Sequence, residues 1–255
     1  MKNCCVEYPV YEKEWLGISF DKLSVKPSFY DLATSEFYDA FYEKFLDKYS
    51  GFMDLPGDWL AAKRITAEYI SGLLPDGAKV LSYGCGSGYV ESLIASNRSD
   101  LRLTAFDFAE VASKFIENDS SVNIIKELDP KYKFNVIYIN HVLYAIDFQG
   151  CIEFLSKIRN DFLEDGGTLI IVNHSNIPYE NGIKLNFYGK LKLIVKSILK
   201  PYYKKAKFFI SKRGFQFWGW ERNNACYLEI LRKSNFDFME VKGFNQHSYL
   251  IVKKG

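Results

Sequence analysis

The feature that most limits what this chain can fold into is the stretch "KVLSYGCGSGYVESLIA", Lys79 to Ala95. Glycines stand at alternate positions, Gly84, Gly86 and Gly88, after the apolar pair Val80 and Leu81 and before an amphipathic run. Glycine tolerates unusual dihedrals and lets a ligand approach the backbone closely. A helix opening near Gly88 aims free N–H groups at whatever is bound there. In an open α/β sheet, ligands bind outside the carboxyl ends of the strands. Asp107 follows 19 residues after Gly88, at the end of the next strand-like run. A carboxylate there can accept from both hydroxyls of a ribose. Loop and acid together point to a nucleoside-containing cofactor.

The surrounding pattern supplies the sheet. Strand-like runs are "KVLSYG", "LRLTAFD", "SVNIIKE", "FNVIYIN" and "GTLIIVNH", with helix-like runs at 88–96, 109–118 and 149–163. Such alternation predicts a parallel sheet covered on both faces. Helix 221–233 then leads to "FDFMEVKGF" and "HSYLIVKK", close enough to form an antiparallel hairpin. Upstream, Ala33, Phe37, Phe41 and Phe45 recur every four residues and predict a helix over 29–49. Asp58 can cap a second helix, Trp59 to Ser71, that ends near Gly72. Residues 1–27 show no clear period and are expected to wrap the surface as an arm.

The loop reads GxGxG rather than the GxGxxG of dinucleotide sites, and the Gly-Lys-Ser/Thr of a phosphate-binding loop is absent. At this point the chain resembles the class I S-adenosylmethionine-dependent methyltransferases. The resemblance rests on "VLSYGCGSG", Asp107 in "LTAFDFAEV", "FNVIYINHVLYAI", "FLEDGGTLIIVNHS" and the terminal hairpin. It covers Lys79 to the C-terminus, apart from a basic insert. The implied fold is α/β and Rossmann-like: a mostly parallel seven-stranded sheet with an antiparallel C-terminal hairpin and a helical N-terminal lid. Residues 1–78 would be arm and lid, and 79–255 the core, with the insert at about 178–220 and one structural domain overall.

The implied cofactor is S-adenosylmethionine. Tyr83, Gly84, Cys85, Gly86 and Gly88 would pass under its methionine part, Asp107 would hold the ribose, and Phe108 would face the adenine. Glu127 and Leu128 would border the adenine, and Asn140 would line the cleft near the methionine group. Tyr30 and Tyr38 are lid candidates, with a place among core aromatics as the alternative. Two departures stand out. The family often has an acid where Ser82 stands and Asp where Asn135 stands. Ser82 would then be a weaker polar partner for the cofactor, and Ser82→Asp is expected to tighten binding.

Methyl transfer needs an aligned acceptor and a dry site. A hydroxyl acceptor also needs a base. His141 and His174 stand just beyond the fourth and fifth strand-like runs, with Tyr144 and Glu221 as further candidates. The histidines could instead cap a strand end by bonding the backbone, and Glu221 could be an acid at a helix N-terminus. His247 reads as structural, and no metal-ligand cluster is evident among the chain's three histidines.

Charge sets the partner classes. The net charge is only +2, yet Ile183 to Trp220 holds ten Lys/Arg and no acid, so a basic segment sits on an acidic body. Within it Leu191, Ile194, Val195 and Ile198 form one helical face, opposite Lys192, Lys196 and Lys200. It suits an acidic small substrate, a phosphate-linked or nucleotide-linked sugar included, an anionic membrane surface, or nucleic acid; a solvated lysine face is the alternative. "GFQFWGWERN" is also similar to methyltransferases associated with bacterial surface-glycan assembly. An acidic body without an RNA-binding module disfavours nucleic acid. Five scattered cysteines, Cys4, Cys5, Cys85, Cys151 and Cys226, read as free thiols in a reducing compartment. No apolar run reaches the length of a span, so the expected location is cytoplasmic. The expectation is methylation of oxygen on a sugar, glycan precursor or related metabolite. N-methylation of RNA or a metabolite, and a non-catalytic S-adenosylmethionine-binding module, are the rivals.

Overall fold

The computed structural model describes residues 5–117, 119, 121–174, 214–244 and 247–255. Its centre is a seven-stranded sheet. The strands are β4 (Lys79–Tyr83), β5 (Arg102–Phe106), β6 (Asn123–Ile125), β7 (Phe134–Asn140), β8 (Leu163–His174), β10 (Asp237–Phe244) and β11 (His247–Lys253), in the order β10-β11-β8-β7-β4-β5-β6. β4 to β8 run parallel; β11 pairs antiparallel with both β8 and β10. The expected mostly parallel sheet with a terminal antiparallel hairpin is therefore present. The order reverses beside β4, so the carboxyl ends of β4 and β7 diverge around a crevice.

Both faces of the sheet are covered. Helices α2 (Gly57–Ser71) and α3 (Tyr89–Asn97) pack on one through Ile70, Val90 and Ile94 against Val80, Val136 and Ile170. Helices α4 (Phe148–Lys157) and α5 (Asn224–Lys233) cover the other through Leu155, Tyr227 and Ile230 against Leu81, Ile137 and Leu250. Alternate residues of β4 and β7 thus enter opposite cores, as a two-residue period requires. A third cluster belongs to α1 (Ser35–Lys48), where Phe37, Phe41 and Phe45 are buried with Phe20 and Tyr89. The expected four-residue spacing is what buries them. The helix itself starts at Ser35 because Thr34 caps it, accepting from Phe37 N.

Several elements differ from expectation. Asp58 does not cap α2; it sits in the first turn, where its carboxylate accepts from Trp59 N at 2.9 Å, and Pro56 is the capping residue. Among the described residues of the run 109–118 there is a single 3-10 turn, Ala112–Phe115. Residues 216–222, part of them assigned to the insert, form strand β9 (Gln216–Arg222), so Glu221 lies in a strand and not at a helix start. The N-terminal arm is ordered as β1 (Glu7–Glu12), β2 (Glu14–Trp15) and β3 (Ile18–Ser19), with β1 antiparallel to β9. Residues 175–213, which include the predicted amphipathic helix, lie outside the described residues.

The reading of all five cysteines as free thiols is corrected. Cys5 and Cys226 form a disulfide, while Cys85 and Cys151 are free. Cys4 lies outside the described residues. The pairing joins positions 221 residues apart, a connectivity that spacing alone cannot supply. No described helix is long and apolar enough to cross a membrane.

Candidate functional site

The turn after β4 is glycine for two reasons at once. Gly84, Gly86 and Gly88 have φ of +78°, +55° and +76°, the left-handed region. A Cβ would also meet Val142 Cγ2 at 2.3 Å from Gly84, Tyr42 Oη at 2.7 Å from Gly86, and Ile116 Cδ1 at 2.2 Å from Gly88. The backbone N–H groups of Gly84 and Cys85 donate to Phe106 O at 2.7 and 3.1 Å, carrying the β4–β5 pairing past the strand end.

Asp107 fixes the loop from the next strand. Its Oδ2 accepts from Gly86 N at 2.8 Å and its Oδ1 from Ala109 N at 3.0 Å. Burial pushes this carboxyl above the usual range, and the two amides pull it back. Each carboxylate oxygen can accept twice, so both keep capacity for an incoming hydroxyl. Asn140 ends β7 with a buried Oδ1 that has no hydrogen-bond partner among the described residues. A crowded glycine turn, an acid with spare acceptor sites and an orphaned amide oxygen fit the nucleoside-containing cofactor that the sequence implies.

Tyrosines close over this point. Tyr38 and Tyr144 share a hydrogen bond, Oη to Oη at 3.0 Å. Burial raises Tyr38 and Tyr42 well above the ordinary phenol value, and the negative field of Asp107 adds to the rise. Tyr144 is pushed up to about 12 by burial. The three phenols therefore stay protonated near neutrality and can donate. Phe108, 45% exposed, meets the Tyr38 ring edge-on at 5.4 Å. Tyr30 is 73% exposed and packs against Phe29. Tyr42 was not among the sequence candidates, although it lies one turn after Tyr38 on the same face of α1.

Ser82 takes an unforeseen place. It is buried, and its Oγ donates to Glu91 Oε1 at 2.6 Å; Tyr138 Oη donates to the same oxygen at 2.8 Å. Glu91, in the first turn of α3, is itself buried. Burial raises its carboxyl, against the lowering effect of both hydroxyls and of Lys63. Lys63 is drawn down to about 8 by burial. A carboxylate is thus present behind the glycine loop, carried on the helix and not on the strand. The signal was available: Glu91 precedes buried Ile94 and Ala95 by three and four residues, so it falls on the apolar face of α3.

The Tyr83 ring turns to the α4 side, against Phe106 and Phe154 at 5.1 and 4.8 Å. Glu127 and Leu128, beyond β6, line a cavity of about 400 Å³ on that same side with Tyr83 and Phe106. Cys85 has its thiol pushed up by burial. All three histidines reach one end of the sheet. His141 follows β7 with φ +55°, and its backbone N–H donates to Val172 O at 2.9 Å. His247 opens β11 opposite His174, the last residue of β8, and its ring lies 4.9 Å from that of His141. His247 therefore joins the candidates that the sequence separated from it. Glu221 pairs across the strands with Tyr8, far in sequence from the loop, and its Oε1 is buried without a hydrogen-bond partner among the described residues. Those residues hold no cluster of His, Cys, Asp or Glu arranged for a metal.

A family model described as a methyltransferase domain matches residues 59–236. No curated protein matches the sequence. Among solved structures the chain is similar to an O-methyltransferase family protein from Burkholderia thailandensis, with a TM-score of 0.54 and 14% identity over 87% of this chain and 60% of that one. It is similar to human N-acetylserotonin methyltransferase, solved with SAM, with a TM-score of 0.53 and 16% identity over 87% and 57%. The methyltransferase CalO1 of calicheamicin biosynthesis, solved with SAH, gives 0.54 and 13% over 87% and 58%. At these identities the likeness is one of fold, and the chain spans less than two thirds of each protein's length.

Proposed function

The chain belongs to the methyltransferase domain family, and on that premise we propose that it moves a methyl group from S-adenosylmethionine to an oxygen of a small-molecule acceptor. The observation that carries this reading is the left-handed glycine turn held by Asp107 through the Gly86 amide. When bound, S-adenosylmethionine supplies a methyl group already activated on a positively charged sulfur.

The chain's own residues do the rest. The backbone of Gly84 to Gly88 would lie under the methionine part, Asp107 would accept from the ribose hydroxyls, and Phe108 would stand at the adenine. Asn140 Oδ1 would offer an acceptor to its amino group. The Tyr38–Tyr144 pair and Tyr42 shut out water, which strengthens every polar contact inside. His141 takes the proton that a hydroxyl acceptor loses as its oxygen is methylated, since imidazole titrates near neutrality. His174 shares the same sheet edge by its backbone register.

The acceptor we favour is a sugar, glycan precursor or related metabolite, with a phosphate-linked one suited to the ten Lys/Arg between Ile183 and Trp220. The names of the O-methyltransferase-like structures support oxygen as the methylated atom. The same basic segment suits peripheral contact with an anionic membrane, which a lipid-borne acceptor would require.

The test is transfer of an isotopically labelled methyl group to panels of sugar nucleotides, lipid-pyrophosphate sugars, phenols and RNA. Label on a sugar oxygen, lost in His141→Gln, is the expected result. Label confined to nitrogen or to RNA would replace the oxygen reading, and cofactor binding without transfer to any acceptor would mark a binding module.

A further inference from the structure

Arg222 is a buried cation that the chemistry above does not use. Its side chain has no exposed surface and ion-pairs through Nε with Glu7 of β1. Its Nη1 donates to Leu143 O and its Nη2 to Ile146 O, each at 2.7 Å, and Nη1 also reaches Cys151 Sγ at 3.4 Å. Leu143 and Ile146 bracket Tyr144. The guanidinium fork therefore grips the turn that carries Tyr144 by a carbonyl on each side, a geometry a lysine cannot supply.

The rest of β9 presses on the same residue. Gly219 has φ +129°, and a Cβ there would lie 2.0 Å from Tyr144 O. The Trp218 ring stacks on the Tyr144 ring at 5.9 Å and 22°. Strand β9 in turn depends on the N-terminus. β1 pairs with it from Glu7↔Arg222 to Glu12↔Gln216, Val6 and Asn223 exchange hydrogen bonds at 3.2 and 3.1 Å, and Cys5 is bonded to Cys226.

We propose that Arg222 and Glu7 are positioning residues for Tyr144, and that β1 is a strap across the outer wall of the cofactor pocket. The proposal rests on the functional reading above. Glu7 neutralises the buried guanidinium, the guanidinium fixes the turn, and the turn holds the Tyr144 phenol against Tyr38 beside Asp107. A purely structural ion pair would change stability alone. A positioning pair changes cofactor affinity through Tyr144, and that difference is measurable.

The experiment is a double-mutant cycle on the full chain, read by calorimetric titration with S-adenosylhomocysteine, with thermal melts alongside. Wild type, Glu7→Gln, Tyr144→Phe and the double variant are compared. The expected result is that Glu7→Gln and Tyr144→Phe each weaken binding about tenfold, and that the double variant is no weaker than either alone, because residues acting through one another do not add. Glu7→Asp, which keeps the charge, should recover most of the affinity; if Glu7→Gln does not fold, Arg222→Lys, which keeps the charge but loses the fork on Leu143 and Ile146, carries the test and should weaken binding as Tyr144→Phe does. Unchanged affinity in Glu7→Gln, or fully additive losses, would overturn the strap while leaving the functional reading intact. Failure of the wild type to bind refutes the functional reading, and the strap's role with it.

Discussion

At position 82 the inner side of β4 ends in a hydroxyl whose hydrogen goes to Glu91, not to the cleft. This reverses one expectation. Ser82→Asp would set a second carboxylate beside a buried one, and two such groups cannot both ionise cheaply. We expect a loss of about 2–4 kcal/mol of stability, read as a lower melting temperature, and no gain in cofactor affinity. Tighter binding without destabilisation would contradict the placement of Glu91. Glu91 itself gives a pH signature. Its folded carboxyl is raised from 4.5 by burial, so the folded chain holds that proton more firmly than the unfolded one. The associated stability is fully present below the unfolded value and is lost as pH rises through the folded one. Glu91→Gln keeps an acceptor for Ser82 and Tyr138 and removes this loss. Melts across pH 4 to 8 should therefore show the variant gaining on the wild type as pH rises above about 4.5, then levelling. A constant difference would mean that Glu91 does not titrate in that window. The acid was legible as a charge on an apolar helix face; its partners were not, because Ser82 and Tyr138 come from two strands whose adjacency only the sheet creates.

Among the elements, those built from local pattern were readable and those built from distant pairing were not. β4, β7 and β8 follow directly from their apolar runs, and the glycine turn from its composition. β1 was invisible because its partner β9 lies some 200 residues on, and "EYPVYE" has no period without it. Where a helix was expected over 109–118, the described residues hold one tight turn: Ala112 and Ile116 are buried, and Asp119 turns back to accept from Ser92 Oγ at 2.8 Å. Gly219 belongs to this scale. Its φ of +129° and its closeness to the Tyr144 carbonyl leave no room for a side chain. Gly219→Ala should cost about 1–3 kcal/mol and shift the emission of Trp218, which stacks on Tyr144. A variant with wild-type melting and emission would show that β9 can yield there without moving the tyrosine.

Over the whole molecule, side chains from several elements come together at the carboxyl end of the sheet. The core of α1 brings Tyr38 and Tyr42 to the loop, the α4 side brings the turn with Tyr144, and β7, β8 and β11 bring the histidines to one edge. The N-terminus is fastened to α5 by Cys5–Cys226, closing most of the chain into a loop. Reduction should therefore lower the melting temperature, by an amount equivalent to about 2–5 kcal/mol, and Cys5→Ser should melt like the reduced protein. Melting insensitive to reductant would refute the pairing. The central claim is that this convergence holds an adenosyl cofactor through Asp107. Its most direct test is calorimetric titration of the wild type and of Asp107→Asn with S-adenosylmethionine and S-adenosylhomocysteine. Asn keeps one acceptor oxygen for the loop amides but loses the charge and the second acceptor. Saturable binding by the wild type, weakened about tenfold or more in the variant while both melt cooperatively, is the predicted result. Equal binding by the two proteins, or none by a folded wild type, would contradict it.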